Sequence, residues 1–148
     1  MANTKRTKKE SPAIASFNRL TRTANGISTE VFKYLARHKL TSSQFGVLEA
    51  LYKLGPMYQR DLAREIVKTT GNITTVIDNL EKSELVRRER EAKDRRFFRI
   101  VLTSEGEKLI KKIYPVHAKQ VERVMKRLTK AEQERLAALC EKLATVEE

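Results

Sequence analysis

The chain has 148 residues, enough for one domain or for a small module with an added helical layer. Charged residues make up 34% of it and the formal net charge is +12, a balance that points to a polyanionic partner, nucleic acid before an anionic membrane surface. A single cysteine, Cys140, excludes an intramolecular disulfide and a cysteine-based zinc cluster. No apolar run approaches a membrane span, and the basic N-terminus lacks the apolar stretch of a signal peptide, so a cytoplasmic location is expected.

Residues 1–10 carry four basic residues and no large apolar side chain after Met1, the composition of a disordered arm. Ser11-Pro12 reads as a helix start, serine capping and proline at the first helical position, where its missing N–H costs nothing. From there Ile14, Phe17, Leu20, Ala24, Ile27, Val31, Tyr34 and Leu35 recur at threes and fours. This predicts an amphipathic helix of about seven turns, ending near Arg37. Thr41 with Gln44 matches the capping box of a second helix, whose buried stripe is Phe45, Leu48, Leu51 and Tyr52 and whose stop is Gly55-Pro56. A short third helix is predicted around Gln59 to Val67.

A fourth helix is predicted to begin near Thr70. Ile73, Val76, Ile77 and Leu80 form its buried face, leaving Asn72, Thr74, Thr75, Asp78 and Asn79 outside. An ordinary solvated face carries lysine and glutamate, which are better helix formers than threonine and asparagine. Poor helix formers on that face suggest that it contacts something. Two short helices joined by a tight turn, the second with this polar face, make a helix-turn-helix. Leu85 to Arg90 and Phe97 to Leu102 then read as two strands around a loop tip, and six of the ten residues from Arg87 to Arg96 are basic. A helix-turn-helix followed by a β-hairpin is a winged helix.

Ser104 with Glu107 matches another capping box, opening a helix with Ile110, Ile113, His117, Val121, Val124 and Leu128 on one stripe; Pro115 inside it is expected to kink it or loosen a turn. Thr129 with Glu132 opens a final helix with Leu136, Leu139, Cys140, Leu143 and Val146 in line. The fold class is therefore mainly α with a small β-hairpin wing. Its predicted segments are an arm at 1–10, an N-terminal helix at 11–37, the winged helix-turn-helix at 38–103 and C-terminal helices at 104–148.

The order and spacing of several short motifs resemble the MarR family of transcription regulators. They are Leu40-Thr41-Ser42-Ser43-Gln44-Phe45 with Val47-Leu48, then Gly55-Pro56, Leu62-Ala63 and Gly71-Asn72-Ile73-Thr74. Asp78-Asn79-Leu80-Glu81, Leu85-Val86-Arg87-Arg88, and Asp94-x-Arg96 with Thr103 and Gly106 beyond complete the series. The resemblance implies a homodimer in which the first and last two helices of each subunit interlock. The long apolar stripes of those helices, more than one small core can cover, point the same way.

It also implies a sequence-specific regulator of transcription, a repressor by the family's commoner mode, reading an inverted-repeat operator in double-stranded DNA. The candidate recognition-helix contacts are Thr70, Gly71, Asn72, Thr74, Thr75 and Asn79. Asn72 suits bidentate pairing with adenine, the threonines suit thymine methyls or phosphates, and Gly71 lets backbone amides approach a phosphate. In the wing, the resemblance makes Arg96 the minor-groove probe and Asp94 the residue that holds it. Arg88, Arg90, Lys93 and Arg95 are candidate phosphate contacts.

The family commonly responds to phenolic or other small lipophilic anions, and Tyr114-Pro115 with His117 is similar to a phenol- and quinone-responsive branch. His117 reads first as a core or interface histidine and second as an effector ligand. Cys140, on an apolar stripe, reads as a packing residue. No nucleophile has an obvious base and no glycine-rich phosphate loop occurs, so neither an enzyme nor a bound cofactor or metal is expected. The alternative function is a nonspecific nucleoid-type or RNA-binding winged-helix protein.

Overall fold

The computed structural model describes residues 10–66 and 72–144, so the arm expected at 1–10 lies outside the described residues except for Glu10. Ser11 opens the first helix, α1 (Pro12–Phe32), with its hydroxyl accepting from the Ile14 N–H at 3.3 Å. The predicted continuation to Arg37 is not α-helical. At Lys33 the chain tightens into a 3₁₀ helix, Lys33–His38, and Lys39 turns left-handed at φ 54°. The Lys39 N–H then reaches the Ala36 carbonyl and the Leu40 N–H the Leu35 carbonyl. This closure satisfies carbonyls that the helix end would leave bare and delivers Leu40 to the core.

The second helix, α2 (Ser42–Leu54), has both halves of its capping box. The Thr41 hydroxyl accepts from the Gln44 N–H at 3.1 Å, and the Gln44 side chain accepts from the Thr41 N–H at 2.9 Å. Gly55 ends it at φ 78°, a conformation in which a side chain is strained. Next come β1 (Met57–Tyr58), α3 (Gln59–Glu65), α4 (Ile73–Lys82), β2 (Val86–Arg90) and β3 (Phe98–Leu102). The sheet is antiparallel in the order β1-β3-β2, with Val86 opposite Leu102, Arg90 opposite Phe98, and Met57 opposite Ile100. The hairpin was expected; β1 was not, because two residues are too few to display an alternation.

Phe45 of α2, Leu62 of α3, Ile77 of α4, and Val86 and Ile100 of the sheet are fully buried together with Ile110 of α5 (Ser104–Met125). The cap of α5 is one residue earlier than its local pattern suggested. The Thr103 hydroxyl accepts from the Gly106 N–H at 3.0 Å and donates to the Glu84 carbonyl, and the Thr103 N–H donates to the Leu85 carbonyl at 3.1 Å. Gly106 belongs to the same joint: a Cβ there would sit 1.9 Å from the Leu85 carbonyl oxygen. The start of α5 is thereby fixed to the base of the wing. α5 then runs unbroken through Pro115.

At its far end the Arg127 guanidinium meets both Glu30 carboxylate oxygens at 2.9 Å, tying α5 back to α1. Thr129 and Glu132 cap each other as predicted, opening α6 (Lys130–Ala144). No residue of α6 is buried, and α1 buries only Val31.

Candidate nucleic-acid interface

The outward face of α4 is built by its own start. Asn72 is the N-cap, its Oδ1 accepting from the Thr74 N–H at 2.9 Å, so the helix proper begins at Ile73 rather than near Thr70. Thr70 and Gly71 lie outside the described residues. Val76, Ile77 and Leu80 are buried and Ile73 half-buried, as the spacing required. Asn72, Thr74, Thr75 and Asn79 are exposed.

Two of these side chains are already engaged. Asn72 uses its carbonyl oxygen on the cap, which competes with the two-pronged pairing to adenine expected of it. Thr74 Oγ1 accepts from Gln59 Nε2 at 2.8 Å, across the turn of the helix-turn-helix. Sequence reasoning missed Gln59: no local pattern marks the first residue of a seven-residue helix as a neighbour of α4.

Arg88 differs from the other basic residues of the wing. From β2 its guanidinium reaches Asp78 Oδ1 at 2.6 Å and Glu81 Oε1 at 2.8 Å, and its backbone N–H reaches Glu81 Oε2 at 3.0 Å. Burial works against its charge, but the two carboxylates outweigh burial and hold its proton more tightly than usual. Arg88 thus braces the wing against α4. It also neutralises carboxylates on α4 that phosphates would repel.

At the wing tip the salt bridge expected between Asp94 and Arg96 is present. Arg96 donates through Nε to Asp94 Oδ1 at 3.0 Å, through Nη2 to Oδ2 at 2.8 Å, and through its backbone N–H to Oδ1 at 3.1 Å. The guanidinium and then the backbone N–H hold the Asp94 carboxyl below its usual range, and Asp94 in turn raises Arg96. The Arg96 side chain is 84% exposed against 23% for Arg88. A two-point hold fixes its direction while leaving its outer edge in solvent.

Lys93 and Arg95 stand exposed beside it, and the Arg90 guanidinium lies 5.2 Å from the centre of the Phe98 ring. The wing is tied to β1 by the Tyr58 hydroxyl, which donates to Glu91 at 3.0 Å, with Arg99 3.8 Å from the same carboxylate.

His117 lies elsewhere, in an aromatic cluster between α1, α2 and α5. Its ring stacks on Phe32 at 5.4 Å and 18° and sits 4.6 Å from Phe45. His117 Nδ1 and the Tyr34 hydroxyl are buried and have no hydrogen-bond partner among the described residues. Burial lowers His117, against Glu49 and with Lys53, and raises Tyr34 to about 12, with Glu49 adding to the rise. A cleft of about 700 Å³ lined by Asn25, Ser28, Phe32, Phe45, Glu49 and Lys53 opens on one side. A second of about 210 Å³, walled by His117, Phe32, Val31 and Val121, lies on the other. Among the described residues no cluster of histidine, cysteine, aspartate or glutamate could hold a metal, and no helix is long and apolar enough to cross a membrane.

Comparisons with known proteins agree with this geometry. Residues 40–97 match the MarR family. The uncharacterized HTH-type transcriptional regulator YkoM of Bacillus subtilis is 33% identical over 121 residues, covering 82% of this chain and 79% of its own. Sco3205, a MarR family transcriptional regulator from Streptomyces coelicolor solved in complex with DNA, superposes with a TM-score of 0.82 at 23% identity, over 94% of this chain and 91% of that one. Bordetella bronchiseptica BpsR, whose DNA binding is regulated by 6-hydroxynicotinic acid, superposes with a TM-score of 0.80 at 22% identity, over 95% and 98%. The reading helix, the wing with its held arginine and these likenesses converge: the chain belongs to the MarR family, DNA-binding winged-helix regulators of transcription rather than enzymes.

Proposed function

We propose that this regulator acts in the cytoplasm as a homodimeric repressor, binding an inverted-repeat operator in double-stranded DNA and leaving it when a small phenolic or quinone-like effector binds. The observation that carries the DNA reading is Arg96, aimed by two side-chain hydrogen bonds to Asp94 at an exposed wing tip. A fixed, accessible guanidinium suits a narrow, A·T-rich minor groove. Thr74, Thr75 and Asn79 face the major groove, Arg90, Lys93 and Arg95 contact phosphates, and Asn72 and Arg88 serve as cap and brace.

Dimerisation is supported by the unburied apolar residues of α1 and α6. Phe17 is 66% exposed and Leu143 72%, on helices whose sequences are otherwise amphipathic. A second copy is the cover that also gives the operator its twofold symmetry. For the effector, the supporting feature is the pair of unpartnered polar atoms, His117 Nδ1 and the Tyr34 hydroxyl, between the two clefts. A neutral imidazole and an un-ionised phenol among aromatic rings match a hydroxylated aromatic ring.

Selection of bound sequences from random DNA, repeated with a panel of phenols and quinones, tests the whole. A palindromic consensus that is lost on adding one compound is expected; no consensus favours a nonspecific nucleoid-type or RNA-binding protein. Arg96→Ala is expected to abolish specific operator binding in a gel shift while leaving the dimer folded. Undiminished affinity would remove the wing from the interface.

A further inference from the structure

From the contact between α3 and α4 we infer that Gln59 is a positioning residue that sets which base edges Thr74 accepts, turning its hydroxyl into a hydrogen-bond donor toward DNA. The inference rests on the reading above that the outer face of α4 lies in the major groove.

A threonine hydroxyl has one proton and two lone pairs, and free in solvent it can donate or accept. Here Gln59 Nε2 donates to Thr74 Oγ1 at 2.8 Å, so one lone pair is occupied and the hydroxyl proton must point away from Gln59. Thr74 is the second residue of α4 and is exposed, at the helix end whose side chains meet base edges in this class of motif. Its own N–H is held by Asn72 Oδ1 at 2.9 Å, so the backbone that carries the hydroxyl is fixed as well. Gln59, the first residue of α3, is only half-exposed, whereas Thr74 remains exposed with Gln59 bonded to it.

With its proton turned outward, the hydroxyl favours bases whose major-groove edge offers an acceptor: guanine O6 or N7, thymine O4, or adenine N7. It disfavours cytosine, whose edge there offers only an amino donor. Specificity at this position is thus set by a residue that does not belong to the recognition helix.

The test is a position-resolved binding profile of the full chain, from selection on random DNA, for the wild type and for Gln59→Glu, Gln59→Met and Thr74→Val. The wild type is expected to prefer guanine, thymine or adenine over cytosine by about threefold to tenfold at one position in each half-site, the size of one net hydrogen bond. In Gln59→Glu the carboxylate accepts the hydroxyl's hydrogen bond and leaves lone pairs facing the DNA, so the preference at that position should shift toward cytosine. Gln59→Met keeps the chain length without the hydrogen bond and should flatten it, as should Thr74→Val. The double variant Gln59→Glu with Thr74→Val should match Thr74→Val alone.

A uniform loss of affinity, as from added negative charge or a structural defect, would leave the profile's shape unchanged. A wild-type consensus indifferent to Gln59→Glu overturns this inference alone. So does a wild-type preference for cytosine at the position Thr74 controls. A Thr74→Val profile unchanged in shape but with affinity lowered equally for all sequences would make Thr74 a phosphate contact and overturn it too. Absence of any wild-type consensus overturns the operator reading and this inference with it.

Discussion

The winged-helix head and the helical ends of the chain handle apolar surface in opposite ways. Between Leu35 and Ile113 the large apolar residues converge: Phe45, Leu62, Ile77, Val86 and Ile100 lose essentially all contact with water inside one subunit. In α1 and α6 the same residue types stand in solvent, with Phe17, Leu139 and Leu143 all exposed. A head with a closed core and ends without one suit the proposed dimer, in which a second copy would cover the ends.

The largest effect should come from breaking the ends. Phe17→Glu combined with Leu143→Glu is expected to leave a folded monomer by sedimentation and to weaken operator binding by more than about 100-fold, as one half-site loses the avidity of two. A variant that stays dimeric would show that other surfaces hold the subunits together.

The head should fail differently. At Gly106 a methyl group collides with the Leu85 carbonyl, so Gly106→Ala should cost about 1–3 kcal/mol in urea unfolding, the range for overpacking. A neutral result would mean that the joint between wing and α5 yields easily. Arg88→Met is smaller, up to about 1 kcal/mol, because its carboxylate partners are half in solvent. Its DNA signature is more telling. Operator affinity should fall as Asp78 and Glu81 lose their counter-charge, yet the salt slope should hold, whereas Lys93→Ala should reduce the slope by about 0.9 per contact.

The smallest effect is at His117. Its folded-state value is lowered by burial, so below its ordinary value near 6.5 the unfolded chain binds the proton more readily than the folded one. Stability should therefore rise with pH through that region and fall on acidification. Thermal melts of His117→Phe should lose part of that acid sensitivity. Equal slopes in both proteins would mean that Glu49, beside the ring, offsets the burial.

What was legible in the sequence divides along a related line. The capping boxes at Thr41–Gln44 and Thr129–Glu132, the buried face of α4 and the Asp94–Arg96 pair all involve residues within four positions of one another. Local pattern carries such features. The misreadings involve partners far apart in the chain. Ser104 matches a cap, but Thr103 takes the role because Glu84 and Leu85 hold it from across the sheet. The ion pairs of Arg88 with Asp78 and Glu81 left no mark in the sequence, and Gln59 carried no signal before α3 met α4. The 3₁₀ segment at Lys33–His38 followed an apolar stripe whose spacing does not distinguish it from an α-helix.

The joint at Thr103 and Gly106 makes α5 a lever. His117 lies some thirteen residues beyond it, about 20 Å along the helix at 1.5 Å per residue, with the wing fastened to the near end. A tilt of α5 by about 5° around the aromatic cluster would swing that joint by roughly 2 Å, several times the roughly 0.5 Å range of hydrogen-bond lengths. In a symmetric dimer the same swing occurs twice, and the spacing between the two wings changes by the sum. In the proposed dimer, an effector that did no more than separate Phe32 from His117 would therefore shift both heads relative to the turns of the double helix.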